Sequence, residues 1–176
     1  MARLKGVLKK GPAYRWVKAS RARKQLAQWT PHDQRMLEFY ERFLSPGDLC
    51  FDVGANIGNR VKIFLQLGAR VVAVEPQREC ARVLEAVFGH HPQFTLVEKA
   101  LGETEGHAEM MIGDADATSS LSKEWIAVVV KSGRFADLRW GRARTVAMTT
   151  LDQLVAEYGT PAFVKIEGIV RISRQF

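Results

Sequence analysis

Two stretches decide the fold: Cys50-Phe51-Asp52-Val53-Gly54-Ala55-Asn56-Ile57-Gly58-Asn59 and, after a helical interval, Val71-Val72-Ala73-Val74-Glu75-Pro76. They spell a strand, a glycine turn, a helix and a second strand that ends in an acid. A nucleoside-binding βαβ unit needs that order, because glycine lets the backbone approach a ligand and a carboxylate after the second strand can accept hydrogen bonds from ribose hydroxyls. The pattern points to an adenosine-type ligand.

The turn's spacing narrows the choice. Gly54 and Gly58 are four residues apart and Asn56 stands where the G-x-G-x-x-G signature has its second glycine. That glycine clears space for a pyrophosphate, so its absence argues against NAD and for a ligand without phosphate, such as S-adenosylmethionine (SAM). Glu75 is assigned to the ribose hydroxyls. Asp52, at the end of the first strand, holds the loop or reaches the amino-acid portion of the cofactor through water.

Working outward, Thr30-Pro31-His32-Asp33 carries a cap, a first-position proline and a first-turn acid, which predict a helix with Met36, Phe39, Tyr40 and Phe43 on one face. Residues 45–48 are a turn cluster, and 49–53 form the first strand. Val61, Phe64 and Leu65 mark a helix after the glycine turn, and 71–74 the second strand. Cys80, Val83, Leu84, Val87 and Phe88 mark a second amphipathic helix, and 94–97 a third strand. Short strands are expected at 108–112 and 146–148, while 125–130 fits helix or strand. Thr150-Leu151-Asp152-Gln153 is a capping-box pattern, and residues 163–166 supply a fourth strand. Strand alternating with helix predicts an α/β, Rossmann-like parallel sheet.

The chain has 176 residues and 47% hydrophobic content, enough for one core of ordinary size. Its net charge of +7 is uneven, because residues 1–24 carry nine Lys or Arg and no acid, leaving the rest slightly acidic. Residues 1–29 are therefore expected to be a basic, solvated extension and 30–176 the SAM-binding domain. Contact of residues 1–24 with nucleic acid or an anionic membrane is the alternative. No apolar run approaches the roughly 20 residues of a membrane span, and Cys50 and Cys80 sit where small hydrophobes belong, so a cytoplasmic protein is expected.

Several blocks together resemble the FkbM family of SAM-dependent methyltransferases. They are the 51–59 turn, Val-Val-Ala-Val-Glu-Pro, Lys99-Ala100-Leu101-Gly102, Thr118-Ser119-Ser120-Leu121, Thr149-Thr150-Leu151-Asp152-Gln153-Leu154 and the Pro161 to Ile166 strand. The resemblance spans about residues 45–168. It implies a class I methyltransferase fold, SAM as cofactor, and methyl transfer to a hydroxyl of a sugar, lipid-linked glycan or natural product. Cofactor contacts carry over to Asp52, Gly54, Asn56, Gly58 and Glu75, with Ala100 near the adenine.

The match departs from the family at Lys165-Ile166-Glu167-Gly168, where members carry Lys-Ile-Asp-Val-Glu-Gly. Glu167 stands either for the family's Glu or for its Asp. Lys165 and Glu167, at the carboxyl end of the fourth strand, are the catalytic candidates; an edge-strand charge pair is the plainer reading. The family's C-terminal strands are not expected within the sequence given, which would leave the fourth strand as an edge to be covered by residues 169–172, a second copy or a partner, with an incomplete or frameshifted product as the equal alternative. A SAM-binding remnant without transfer is the alternative function, and an NAD-dependent oxidoreductase a weaker one. His90 and His91 fit a solvated loop, Ser119 and Ser120 have no evident base, and Asp114 and Asp116 fit a polar loop, so no metal is expected.

Overall fold

The computed structural model describes residues 12–113 and 140–167. The segments holding Asp114, Asp116, Ser119, Ser120, the 125–130 run and the 169–172 tail lie outside them. Two helices lead, α1 (Pro12–Ala27) and α2 (Pro31–Tyr40). An alternating series follows: β1 (Leu49–Val53), α3 (Val61–Gln66), β2 (Arg70–Val74), α4 (Arg78–Phe88) and β3 (Phe94–Val97). Then come β4 (Ala100–Leu101), β5 (Gly106–Gly113), β6 (Trp140–Thr149), α5 (Leu151–Tyr158) and β7 (Phe163–Ile166).

Strands β3-β2-β1-β7 form an all-parallel sheet in that order, with β1 at the centre of the chain reversal. This is the strand order of a Rossmann-like half, and it puts the switch point between β1 and β7. A parallel sheet is apolar on both faces, and side chains alternate between them. Cys50, Val71 and Ala73 accordingly join one core with Tyr40, Phe64, Leu84 and Phe88 from the helices. Leu49, Phe51, Val53, Val72 and Val74 join the other with Leu154 of α5. Burial, and then the neighbouring Asp52, push the Cys50 thiol up, so it stays protonated and acts as a small hydrophobe.

A second sheet, β4-β6-β5, is mostly an antiparallel ribbon, and its strands run well beyond the expected 108–112 and 146–148. Among the described residues, Ala100, Met110 and Val146 form its small apolar core, and Leu101 and Thr149 are buried as well. An antiparallel ribbon with one polar face gives a broken apolar signal, which is why the sequence pattern caught only part of each strand. Arg144 on β6 forks onto Glu79 of α4 at 2.8 and 3.1 Å and ties the ribbon to the main sheet's helices.

Thr30 and Asp33 build the reciprocal capping box that starts α2. The equivalent at α5 is half formed: Thr150 accepts from the Gln153 amide, but the Gln153 side chain turns to Glu105 instead. The larger difference concerns residues 1–29, expected to be a solvated extension. The described part of that stretch is packed: Ala22 and Leu26, one turn apart on α1, are buried in the core, and Arg23 donates to the Ala86 carbonyl at the end of α4. The charge run concealed a two-residue apolar stripe. Among the described residues no helix is long and apolar enough to cross a membrane.

Leu26→Ala should therefore lower stability by about 2–4 kcal/mol, the range for buried leucine truncation, as measured by urea unfolding. A solvated extension would give no measurable change.

Candidate functional site

Asp52 and Lys165 are register partners on adjacent strands, so both side chains leave the same face at the carboxyl ends of β1 and β7. Lys165 Nζ lies 2.8 Å from Asp52 Oδ1 and 3.2 Å from Glu167 Oε2, and donates to the Gly54 carbonyl at 3.4 Å. Asp52 is 0% exposed and Lys165 9%. The ammonium meets Oδ1 as an ion pair without hydrogen-bond geometry, and Oδ2 has no hydrogen-bond partner among the described residues. Burial pushes the Asp52 carboxyl above its ordinary range, although Lys165 pulls it back. Such a pair tolerates the loss of neither member, because the survivor would be a buried, uncompensated charge.

The turn after β1 is held by protein on every side. Gly54 and Ala55 donate to the Val74 carbonyl, the Asn56 amide to Glu75 Oε2 at 2.8 Å, and the Gln77 amide to Glu75 Oε1 at 2.8 Å. Gly54 has φ +74° and Gly58 φ +97°, and Asn56 adopts φ +51° between them. A Cβ on Gly54 would strike the Glu167 carbonyl oxygen, and one on Gly58 the rings and methyls of Phe88 and Leu84. Both glycines thus make room for the protein's own backbone and helix α4, whereas the sequence suggested room for a ligand. Glu75, 2% exposed, accepts from the turn on one oxygen and from the start of α4 on the other.

Helix α2 brings a second polar cluster to this end of the sheet. Asp33 Oδ2 accepts from the Thr30 amide (2.8 Å) and hydroxyl (2.7 Å) and meets Lys62 Nζ at 2.8 Å. Lys62 also donates to the Gln28 carbonyl and lies 5.6 Å over the Trp29 ring. Burial raises the Asp33 carboxyl, but Lys62 and Thr30 outweigh it, and the net shift is downward.

A cavity of about 410 Å3 opens between these clusters. Its walls come from α1 (Gln25), the start of α2 (Thr30, His32, Asp33), the glycine turn (Ala55, Asn56, Asn59, Arg60), Lys62, Lys165 and Glu167. Of the residues singled out from sequence, Asn56, Lys165 and Glu167 line it. Asp52 backs it through Lys165, Gly54 through its carbonyl and Glu75 through Asn56. Gly58 faces α4, and Ala100 lies in the small core of the second sheet, paired with Met148. The sequence reading did not assign Asp33, Arg60 and Lys62 to the site. The Thr30 to Asp33 box was visible only as a helix start, and nothing in the spacing links it to the turn. Among the described residues, no group of three His, Cys, Asp or Glu side chains is placed to hold a metal ion.

No family model matches the chain, so the FkbM resemblance rests on its motif blocks alone. An 80-residue segment, 44% of the chain, is 38% identical to ribosomal RNA small subunit methyltransferase A of Anaeromyxobacter dehalogenans (strain 2CP-C). It spans 28% of that protein's length. Among solved structures, the C-terminal domain of precorrin-6Y C5,15-methyltransferase from Rhodobacter capsulatus aligns with a TM-score of 0.35 and 12% identity, over 69% of this chain and 89% of that one.

Two outcomes follow from this geometry. Gly54→Ala should cost about 2 kcal/mol or more in urea unfolding, since it adds left-handed strain to the clash with Glu167. For Asp33, a folded pKa below the ordinary 3.8 means that its stabilisation is present above that value and is lost as pH falls through the lowered one. The stability gap between wild type and Asp33→Asn, measured from pH 7 downward, should be constant to about pH 4 and then close.

Proposed function

We propose that this chain is a SAM-dependent methyltransferase of the class I, Rossmann-like kind. The observation that carries the reading is the bridge from Glu75 through Asn56 to the cavity, at the switch point of the parallel sheet where open α/β sheets take their ligands. The named methyltransferase that is 38% identical over 80 residues supports it. So does the cavity, whose volume falls in the roughly 300–1,000 Å3 range of small-ligand sites.

In this reading the Glu75 carboxylate accepts from the ribose hydroxyls, and Asn56, with Gly54 and Gly58 shaping the turn, carries the cofactor's central part. Asp52 holds that turn through Lys165, and Ala100 is placed near the adenine by the family resemblance alone. Bound SAM supplies a methyl group on a sulfonium, and displacement there demands alignment of the acceptor above all else. Lys165 and Glu167 form the acceptor-side wall; with Lys165 committed to Asp52, Gly54 and Glu167, its part is positioning. Cys50 and Cys80, both buried thiols, suit the reducing cytoplasm.

The FkbM-like blocks favour a hydroxyl on a small molecule or glycan as acceptor. A second reading, RNA, is favoured by the relative's name and by exposed Arg21 and Lys24 on α1 beside the cavity-lining Gln25. Titration calorimetry should give a SAM dissociation constant below the millimolar range. Methyl label from SAM should then enter a nuclease-resistant product for the hydroxyl reading and a nuclease-sensitive one for RNA. A rise in Tm with SAM but no label in any acceptor would leave a binding protein, and NAD binding in place of SAM would return the oxidoreductase.

A further inference from the structure

The charges around the cavity are paired, with one exception. Asp33 holds Lys62, and Lys165 is shared between Asp52 and Glu167. Arg60 closes the glycine turn and lines the same cavity, yet among the described residues no ion pair engages it, and its Nε is buried without a hydrogen-bond partner. Arg60 as a whole is only half-buried at the cavity wall, so the rest of its guanidinium can take an acceptor that arrives with a ligand.

We propose that Arg60 receives the α-carboxylate of the cofactor's amino-acid portion. This rests on the SAM reading above and extends it to a residue that neither the motif blocks nor the glycine spacing singles out. Three features favour a carboxylate on a zwitterion over a phosphate on the acceptor. Arg60 belongs to the turn that carries Asn56, so whatever lies along Asn56 passes it. The guanidinium fork matches a carboxylate with two parallel hydrogen bonds. Finally, acids (Asp33, Glu167) line the cavity beside the bases (Arg60, Lys62, Lys165), so a ligand group that carries both signs meets a partner for each, which a bare anion does not.

The test compares SAM with 5′-methylthioadenosine, the same thionucleoside without its amino-acid portion, by titration calorimetry on the full chain and its Arg60→Gln and Arg60→Lys variants. Arg60→Gln should weaken SAM roughly 10- to 100-fold, the loss of one charge-assisted contact, and leave methylthioadenosine unchanged. Arg60→Lys should fall between, keeping the charge without the fork. Retained methylthioadenosine binding reports at once that the variants fold. Equal loss for both nucleosides, or no loss of SAM, overturns the assignment while the cofactor reading stands. Failure of wild type to bind either nucleoside overturns both. Inorganic phosphate binding to wild type and lost in Arg60→Gln would overturn the carboxylate in favour of a phosphate-bearing acceptor.

Discussion

The buried pair of Asp52 and Lys165 joins the two strands between which the site opens. Neither charge is tolerable alone at that depth, so the register of β7 against β1 is set by charge as well as by backbone hydrogen bonds. A slip of β7 by one residue would turn Lys165 to the opposite face, into the core of Phe51, Val72 and Leu154, and leave Asp52 unpaired. From this pairing follow the position of the Glu167 carbonyl against Gly54, the course of the turn, and the separation of the two clusters that flank the cavity. The pair contributes specificity of arrangement even where its net contribution to stability is small.

The main sheet was legible in the sequence because the central strands β1 and β2, buried on both faces, appear as short apolar runs, and 49–53, 71–74 and 163–166 each end within two residues of a Gly or Pro. Glu75 and Asn56 were legible for a related reason, since an acid after a buried strand and a polar residue between two glycines are local patterns. Arg60, Asp33 and Lys62 were not, because their association depends on how α2 packs across α3, and a capping box announces a helix start without saying what that start will face. Helix α1 was hidden by its own charge: Ala22 and Leu26 are too few to lift an apolar periodicity above so many Lys and Arg.

The roles of the individual side chains also shifted once their partners were known. Lys165 and Glu167 seemed alternatives, either catalytic groups or an edge-strand charge pair. In the structure Lys165 is a buried counter-ion to Asp52, and the Glu167 side chain, 65% exposed, meets it at 3.2 Å from the solvent side of the cavity wall. Glu75 likewise serves two masters, since the same carboxylate that would face a ribose already fastens the turn to the start of α4.

The two glycines of the turn, pressed against Glu167 on one side and against Leu84 and Phe88 on the other, leave that loop very few alternative shapes. A loop already confined by its own protein gives up little conformational entropy when a ligand settles on it, so association there is closer to a lock receiving its key than to a flap folding over a guest. The cost of that readiness is rigidity of sequence: the turn can exchange the residues that line the cavity far more easily than the two glycines packed against protein.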